Sequence, residues 1–483
     1  MAEHVSPEVP AGERKARKNG LIAGVSEELA ANMAQGWADT EQYDLEPLPQ
    51  AAHTARRRAA LSARFPGEWL VVPAGRSKVR ANDIPYPFRA SSDYAYLTGD
   101  QSEEAVLVLE PAAAGHRASA HLLPRSDRGN GEFWRDQRGE LWDGRRNTLA
   151  ESEQLLGLPC HDVRSVLEHL GRVAGPVRLL RGYDPEVEAV LSGRVTAEGD
   201  EEFRVFLSEL RLVKDEFEIA ELRFACAATA RGFEDVVRVL GTDTPTPERR
   251  IEGTFWTRAR IEGNDSGYPS VCAAGPHATT LHWVRNDGQA RPGDLLLLDA
   301  GVETKHLYTA DITRTLPVSG RFTPVQRKVY EAVLAAQEAG IAAVKPGAAF
   351  RDFHLAAQRT LAEHLAAWGL LGDRPVEEAF ELGLHRRWTL SGTGHMLGLD
   401  VHDCAVARTE AYVDGTLEPG MVLTVEPGLY FQPDDLTVPE EYRGIGVRIE
   451  DDILVTADGR ENLSAALPRS PDAVEAWLAR LRG

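Results

Sequence analysis

The sequence predicts an α/β domain followed by an α+β domain, and three observations lead to this fold class. A chain of 483 residues is longer than one ordinary hydrophobic core supports. Its composition, 43% hydrophobic and 27% charged, is typical of a globular protein. Strand-like and helix-like segments alternate up to about residue 210, whereas beyond it pairs of helices each precede a group of strands.

The first domain is predicted over residues 51–212. Residues 1–50 carry proline, glycine and mixed charge without an apolar period, which indicates an extended N-terminal arm. Residues 53–65 then form the pattern of a basic amphipathic helix, and residues 69–75 and 103–111 read as buried strands. Further strand-like runs and helices continue this alternation, which predicts an open sheet with helices.

The second domain is predicted over residues 213–483. A long half-buried helix over 217–240 is followed by Thr246, predicted as the N-cap of a second helix with Pro247 in its first turn. The same order returns at Thr323, where Pro324 opens a helix that runs to about residue 344. An internal duplication would explain the repeat, and a short capped helix ends the chain.

Charge and composition exclude some classes of function. A net charge of −20 argues against nucleic-acid binding, which depends on clustered lysine and arginine. The sequence lacks a run of about 18 apolar residues, so we expect no membrane span, and the N-terminal region lacks the apolar segment of a secretory signal. The four cysteines are far apart in the sequence, and this predicts reduced thiols in a cytoplasmic protein.

Five metal-binding side chains lie in separate motifs of the second half. Asp299 ends the apolar run LLLLDAG, and Asp311 lies in YTADITRT twelve residues later, where a hairpin would bring the two carboxylates face to face. His395 lies in GTGHMLGLDVH, Glu426 in LTVEPG and Glu450 in GVRIEDD. Four carboxylates and one imidazole suit a pair of divalent ions such as manganese better than a structural zinc site.

Each residue taken alone also has a structural interpretation. Either aspartate is compatible with a turn residue or with a buried ion pair to Arg314, and His395 with a hydrogen-bonded core histidine. Glu426 is compatible with a solvated strand end and Glu450 with an acidic turn. Because folding alone does not require four separate strands to end in carboxylates, the set together indicates a metal site capable of hydrolysis.

These motifs resemble the aminopeptidase P (Xaa-Pro aminopeptidase) branch of the creatinase, prolidase and methionine aminopeptidase superfamily. The resemblance covers about residues 51–475. It rests on the following segments in family order: IPYPFRASSDYAYLTG, GELWDGRR, LHW, DAGVETKHLYTADITRTLPVSGRFT, GHMLGLDVHD, LEPGMVLTVEPGLYF and EEYRGIGVRIEDDILVT. It implies an α/β creatinase-like N-terminal domain and an α+β pita-bread catalytic domain, in which two sheet halves are covered by helices.

The resemblance also implies a metal centre and its chemistry. Asp299 would chelate one of two divalent ions, most often manganese, Asp311 and Glu450 would bridge both, and His395 and Glu426 would complete the other. A hydroxide bridging the metals would attack the peptide carbonyl, and Glu426 would act as general base and then acid.

Further residues are implied by the same resemblance. His282 and His402 would hold the substrate and the developing oxyanion, and Tyr430 and Arg448 would line the proline pocket. Asp83 matches a proton-relay aspartate of the N-terminal domain. Trp142 matches a tryptophan that reaches a neighbouring subunit's active site, which implies a homo-oligomer, a dimer or a tetramer.

One position departs from the family pattern. The family usually places a histidine four residues before the metal-binding histidine, where it helps to form the proline pocket, but this chain has Ser391. The implied activity is release of the N-terminal residue from peptides with proline in the second position. The alternatives are a prolidase that cleaves Xaa-Pro dipeptides, a relative diverted to another amide or ester because of Ser391, and a non-catalytic pita-bread binding module.

Overall fold

The computed structural model describes residues 26–82, 84–129, 131–135 and 138–483. These residues form two compact units, a smaller one from residues 26–45 and 124–152 and a larger one from residues 46–123 and 153–483. The predicted proton-relay residue Asp83 lies outside the described residues, as do residues 1–25 of the predicted arm.

The helices and strands are numbered in chain order. The helices are α1 Glu27–Met33, α2 Ala51–Arg64, α3 Ser92–Thr98, α4 Glu132–Arg135, α5 Glu140–Asp143, α6 Leu149–Leu156, α7 Val166–Gly171, α8 Pro185–Leu191, α9 Ala197–Leu210, α10 Glu216–Val239, α11 Glu248–Glu262, α12 Pro324–Ala343, α13 Arg351–Ala367, α14 Val376–Glu381 and α15 Pro471–Arg482. The strands are β1 Trp69–Pro73, β2 Val79–Ala81, β3 Ile84–Pro85, β4 Val106–Pro111, β5 His116–Leu122, β6 Cys160–Asp162, β7 Val177–Leu179, β8 Thr246–Pro247, β9 Asp265–Ser266, β10 Val271–Ala274, β11 Gln289–Ala290, β12 Leu295–Ala300, β13 Val302–Glu303, β14 Ile312–Pro317, β15 Val422–Val425, β16 Gly428–Tyr430, β17 Gly446–Arg448, β18 Asp451–Thr456 and β19 Gly459–Asn462.

The smaller unit joins segments that are distant in the sequence. Helix α1 begins at the N-cap Ser26, whose side chain accepts the backbone N–H of Leu29. The ring of Trp37 packs against Phe133 with centroids 5.3 Å apart, and the guanidinium of Arg128 lies 4.0 Å from the Trp37 ring. Aromatic and cation–π contacts therefore hold residues 26–45 against residues 124–152.

The amino-terminal part of the larger unit is a five-stranded mixed sheet, as the α/β alternation predicts. The strand order is β6-β5-β4-β1-β7. The central strand β4 is antiparallel to both β1 and β5, whereas β7 is parallel to β1 and β6 is parallel to β5. Parallel pairs at the two edges need crossover connections, and helices provide them. We call this part, residues 46–123 and 153–210, the amino-terminal sheet region.

The carboxy-terminal part repeats one arrangement twice. Helices α10 and α11 pack together and cover the antiparallel sheet β10-β12-β14, with the rings of Phe233 and Phe255 edge to face at 6.0 Å in their core. Helices α12 and α13 pack together beside the antiparallel sheet β15-β18-β19, and Phe353, Val425 and Ile453 belong to a second hydrophobic core there. The repeat expected from the sequence is therefore present in the fold.

The predicted helix boundaries are confirmed in most places and wrong in one. Thr323 caps α12 in a capping box with Gln326, as expected from the sequence. The sequence predicts Thr246 as the N-cap of α11. In the structure α11 begins at Glu248, and Pro247 is its N-cap. The hydroxyl of Thr246 instead accepts the N–H of Gly241 at 2.9 Å.

Two further features bear on the class of protein. Within the described residues, no helix is both long and apolar enough to cross a membrane. All four cysteines are free thiols with buried side chains, as the sequence predicts.

Candidate metal centre

Two of the predicted metal ligands lie on neighbouring strands of the first half. Asp299 lies in β12 and Asp311 directly precedes β14. The antiparallel register places Asp299 opposite Thr313, so the two aspartates, which the sequence predicts to face each other, are offset by two positions. Because side chains alternate along a strand, Asp299 and Asp311 still share one face of the sheet. The hydroxyl of Tyr268 joins them, at 2.7 Å from Asp299 Oδ1 and 2.5 Å from Asp311 Oδ1.

The other two carboxylates lie at matching strand ends of the second half. Glu426 directly follows β15 and Glu450 directly precedes β18, and the pairing of Val425 with Asp451 brings the two glutamates side by side. Thr313 connects the halves, because its hydroxyl donates to Glu450 Oε2 at 2.6 Å. Residues from the two repeats therefore converge on one point.

His395 completes the set. Its Nε2 lies 3.3 Å from Asp311 Oδ2 and 3.4 Å from Glu426 Oε1. Its Nδ1 lies 3.1 Å from the carbonyl oxygen of Met396, an arrangement in which Nδ1–H donates and Nε2 faces the carboxylates.

The electrostatics reflect carboxylates crowded in a buried space. Burial and the charge of Asp311 raise the pKa of Glu426 to about 7, even though His395 and Arg448 act against the shift. Burial also raises the pKa of Glu450 well above its ordinary value, helped by Asp311 and Glu426. Burial lowers the pKa of His395, but the neighbouring Asp311 and Glu426 outweigh it and raise that pKa to about 9. The buried carboxylates therefore strongly favour a positive charge between them.

The residues present fit a divalent metal centre. Ligand atoms of Asp311, His395 and Glu450 all lie within 4.8 Å of one another. In the described part of the chain, the buried Glu450 Oε1 has no hydrogen-bond partner, although its other oxygen is bonded. An unpaired carboxylate oxygen in a buried site is costly unless a cation or a proton satisfies it. Oxygen donors with one imidazole are a donor set for such ions.

The predicted proline-pocket residues Arg448 and Tyr430 lie beside the carboxylates. Arg448 Nη1 donates to the Tyr430 hydroxyl at 3.0 Å and Nε donates to Thr313 Oγ1 at 3.0 Å, while Nη2 donates to Asp299. Both side chains are buried. Ser391 is half-buried in the loop before Thr393, whose carbonyl accepts the N–H of Glu426 at 2.9 Å.

Of the two predicted substrate-binding histidines, His402 lies directly against the centre. The rings of His402 and His395 meet edge to face with centroids 4.4 Å apart. Burial lowers the pKa of His402, as do the charges of His395 and His282, while Asp311 raises it. Both His282 and His402 are exposed. Trp142 belongs to the smaller unit and is 59% exposed.

Two residues of the centre carry no distinctive sequence signal. Tyr268 holds both aspartates, yet it precedes β10 in an ordinary turn sequence. Burial and the charges of Asp299 and Asp311 raise the pKa of Tyr268 well above its ordinary value, which keeps its hydroxyl protonated as a donor. Thr313 had a weak signal, since strand alternation puts it on the face of Asp311.

This combination of fold and site defines a metal-dependent hydrolase with two sheet halves around one centre. Residues 220–457 match the model of metallopeptidase family M24, and residues 54–177 match that of the aminopeptidase P N-terminal domain. Xaa-Pro aminopeptidase 1 of Streptomyces coelicolor is 67% identical over 492 aligned residues, which cover 100% of both chains. Xaa-Pro aminopeptidase 2 of the same organism is 62% identical over 97% of this chain and 99% of its own.

A solved structure agrees with these matches. Proline aminopeptidase P II from Yersinia pestis superposes with a TM-score of 0.80 at 32% identity, covering 89% of this chain and 99% of the other. The chain belongs to the aminopeptidase P branch of metallopeptidase family M24. It therefore has the creatinase-like N-terminal domain and the pita-bread catalytic domain expected from the sequence, and it is a metal-dependent exopeptidase.

Proposed function

We propose that this exopeptidase releases the N-terminal residue from peptides that have proline in the second position. The observation that carries the proposal is the convergence of four carboxylates and His395 from both sheet halves, with the buried pair Arg448 and Tyr430 beside them. The names of the Streptomyces relatives, at 67% and 62% identity, support the substrate class.

We propose further that Asp299, Asp311, His395, Glu426 and Glu450 would hold two divalent ions. When bound, such ions acidify water and polarise the substrate carbonyl. The oxygen-rich donor set favours manganese over zinc.

The chain's own residues provide the remaining steps. Glu426 is the proposed proton carrier, because its carboxyl lies among the other proposed ligands, 3.4 Å from His395 Nε2, where a carboxyl can accept a proton and return it. His402 and His282 lie on the exposed side and are proposed to hold the substrate and the developing negative charge on its carbonyl oxygen.

The proline pocket is proposed to include Arg448, Tyr430 and Ser391. A bond to proline is a tertiary amide without an N–H, so a peptidase cannot hold it through that donor. Arg448 donates to the buried hydroxyl of Tyr430 at 3.0 Å and so fixes this side chain. Tyr430 therefore offers an aromatic ring and a polar hydroxyl at a defined place.

The test is hydrolysis of Ala-Pro-Ala, with Ala-Ala-Ala as the matched control peptide. Chelator-treated protein should be inactive, and manganese should restore cleavage of Ala-Pro-Ala while leaving Ala-Ala-Ala almost intact. Equal cleavage of the two peptides would point to a relative diverted to another amide. Cleavage of Ala-Pro but not of Ala-Pro-Ala would identify a prolidase, and absence of bound metal would identify a binding module.

We also propose a cytoplasmic homo-oligomer. Four buried, unpaired cysteines suit a reducing compartment. The exposed Leu141 and Trp142, 53% and 59% accessible, suit contact with a second subunit. Light scattering should then give a mass two or four times the 52.9 kDa of one chain, and a mass of one chain would contradict the proposal.

A further inference from the structure

The segment that carries His402 has no regular secondary structure of its own. Residues 399–403, which we call the His402 loop, contain no helix or strand, and Cys404 directly after them adopts a left-handed φ of 58°. His402 is exposed and forms no side-chain hydrogen bond to any residue that the structure describes. The position of its ring therefore depends on what holds the residues on either side.

The first side of the loop is held by the amino-terminal sheet region. Arg89 Nη2 donates to the Leu399 carbonyl at 2.7 Å, and its Nη1 donates to Ser92 Oγ at 3.1 Å. Ser92 Oγ in turn donates to Asp400 Oδ1 at 2.6 Å. Arg89 Nε is fixed by Glu303 Oε2 at 2.8 Å. The guanidinium of Arg89 thus bonds the backbone of the His402 loop directly, and it is linked to the Asp400 side chain through the hydroxyl of Ser92.

The second side of the loop is held by the segment that joins α9 to α10. Arg211 Nε donates to Asp403 Oδ1 at 3.0 Å, and Lys214 Nζ donates to Asp403 Oδ2 at 3.2 Å. Arg211 Nη1 also donates to Asp93 of α3 in the amino-terminal sheet region. Asp403 and both cations are buried. A Cβ at Gly398 would overlap the Asp403 carboxylate, so the backbone approaches this ion pair closely.

From these contacts we infer that Arg89, Ser92 and Arg211 are positioning residues for catalysis, which hold the His402 loop so that His402 stays against the metal centre. The inference rests on the proposed function, in which His402 holds the negative charge that develops on the substrate carbonyl. The Arg211–Asp403 ion pair is buried and resists displacement, because breaking it leaves a buried charge unpaired, whereas Arg89 holds the loop from a partly exposed position. A catalytic group misplaced by about 1 Å costs on the order of 100-fold in rate. The amino-terminal sheet region therefore contributes to turnover without touching the substrate.

Arg89→Met tests this inference in the full-length, manganese-loaded protein. We expect kcat on Ala-Pro-Ala to fall by at least about 10-fold, while KM changes by less than about 3-fold, because the loop rather than the proline pocket is released. Bound metal per chain should equal that of the unchanged protein. Ser92→Ala, which removes only the hydroxyl bridge to Asp400, should lower kcat in the same direction by a smaller factor.

Arg57→Met is the matched control. Arg57 is a buried guanidinium of α2 that pairs with Asp215 at 2.9 Å and Glu218 at 3.1 Å, so it joins the same two parts of the chain without bonding the His402 loop. Its loss should lower the unfolding midpoint and leave kcat within about 2-fold.

Two outcomes would overturn the inference. One is an unchanged kcat in both Arg89→Met and Ser92→Ala, and the other is an equal fall in kcat in Arg57→Met. If Arg89→Met fails to fold, Ser92→Ala decides alone, because a lost hydroxyl leaves no unpaired buried charge. Inactivity of the unchanged protein on Ala-Pro-Ala would instead contradict the proposed function, so the two failures are distinguishable.

Discussion

At the scale of single residues, Arg448 illustrates why the centre needs a particular side chain. Its Nε, Nη1 and Nη2 donate separately to Thr313, Tyr430 and Asp299. A planar guanidinium holds three donors in fixed directions, whereas a lysine ammonium is a point charge on a flexible stem. The arginine therefore fixes an aspartate that is a proposed ligand and a tyrosine of the proposed proline pocket at the same time.

Ser391 is the residue where we expect a gain from mutation. It lies four residues before His395, where the aminopeptidase P family usually has a histidine. Ser391→His should raise kcat/KM on Ala-Pro-Ala several-fold, since an imidazole adds a charge-capable donor beside the reacting carbonyl, worth roughly 1 kcal/mol or more.

The matched control for this gain is Ser391→Ala. It should change kcat/KM by less than about 2-fold, because the net contribution of a single half-buried hydroxyl is small. Metal content must stay equal in all three proteins. A kcat/KM of Ser391→His at or below that of the unchanged protein would argue that the loop has been remodelled around serine.

Residue patterns predicted the proposed ligands and missed their supports. Asp299 and Glu426 end apolar runs, and that is a visible signal in a sequence. Tyr268 holds two of the predicted ligands, yet only the fold brings it within 2.7 Å of them. A hydroxyl has no charge or spacing that distinguishes it from any other tyrosine, so the sequence carries no signal for this role.

At the scale of elements, the convergence of strand ends builds the centre. Both halves deliver carboxylates at the ends of antiparallel strands, and strand alternation puts Thr313 on the same face as Asp299 and Asp311. Periodicity predicted these strands well, but it could not fix their register. The offset between Asp299 and Asp311 is set by the loop of residues 301–311, whose shape depends on long-range contacts such as the N–H of Thr309 to the carbonyl of Gly398.

The capping box of α12 gives a prediction for this helix. Thr323→Ala removes the acceptor for the N–H of Gln326, 3.3 Å away, and should lower the free energy of unfolding by about 1 kcal/mol. Urea unfolding should show a lower midpoint with an unchanged denaturant slope.

Thr257→Ala is the control for this change. Thr257 is an exposed threonine inside α11 whose hydroxyl donates to the Gly253 carbonyl, so alanine should leave stability unchanged or slightly higher. A midpoint for Thr323→Ala no lower than that for Thr257→Ala would mean that tertiary packing, and not the cap, holds the first turn of α12.

At the scale of the whole molecule, the smaller unit brings together segments that lie far apart in the sequence. Residues 26–45 were expected to be an extended arm, yet they pack with residues 124–152, about a hundred positions away. Trp37 and Phe133 have mostly polar neighbours in the sequence, so neither belongs to a periodic apolar pattern that would predict a buried core. The α/β and α+β architecture was predictable because its helices and strands are long and periodic.

The histidine cluster of the amino-terminal sheet region gives a prediction for the stability of the whole molecule. His121 of β5 is 3% exposed, and neither ring nitrogen has a hydrogen-bond partner among the described residues. The rings of His161 and His169 lie 5.3 and 5.6 Å away. Burial, and then the charges of these two histidines, lowers the pKa of His121 to about 4.

The sign of the effect follows from where the proton binds. An unfolded histidine has a pKa near 6.5, so between about pH 6.5 and 4 the unfolded chain binds a proton that folded His121 does not, and stability falls as the pH falls through this window. His121→Phe removes that difference. Between pH 8 and pH 5, the free energy of unfolding should therefore fall by about 2 kcal/mol less in the variant than in the unchanged protein. Urea titrations of both proteins in chelator measure this, with pH 8 as the internal reference. Parallel pH profiles would mean that His121 is protonated in the folded protein and that its nitrogens find partners by rearrangement of the cluster.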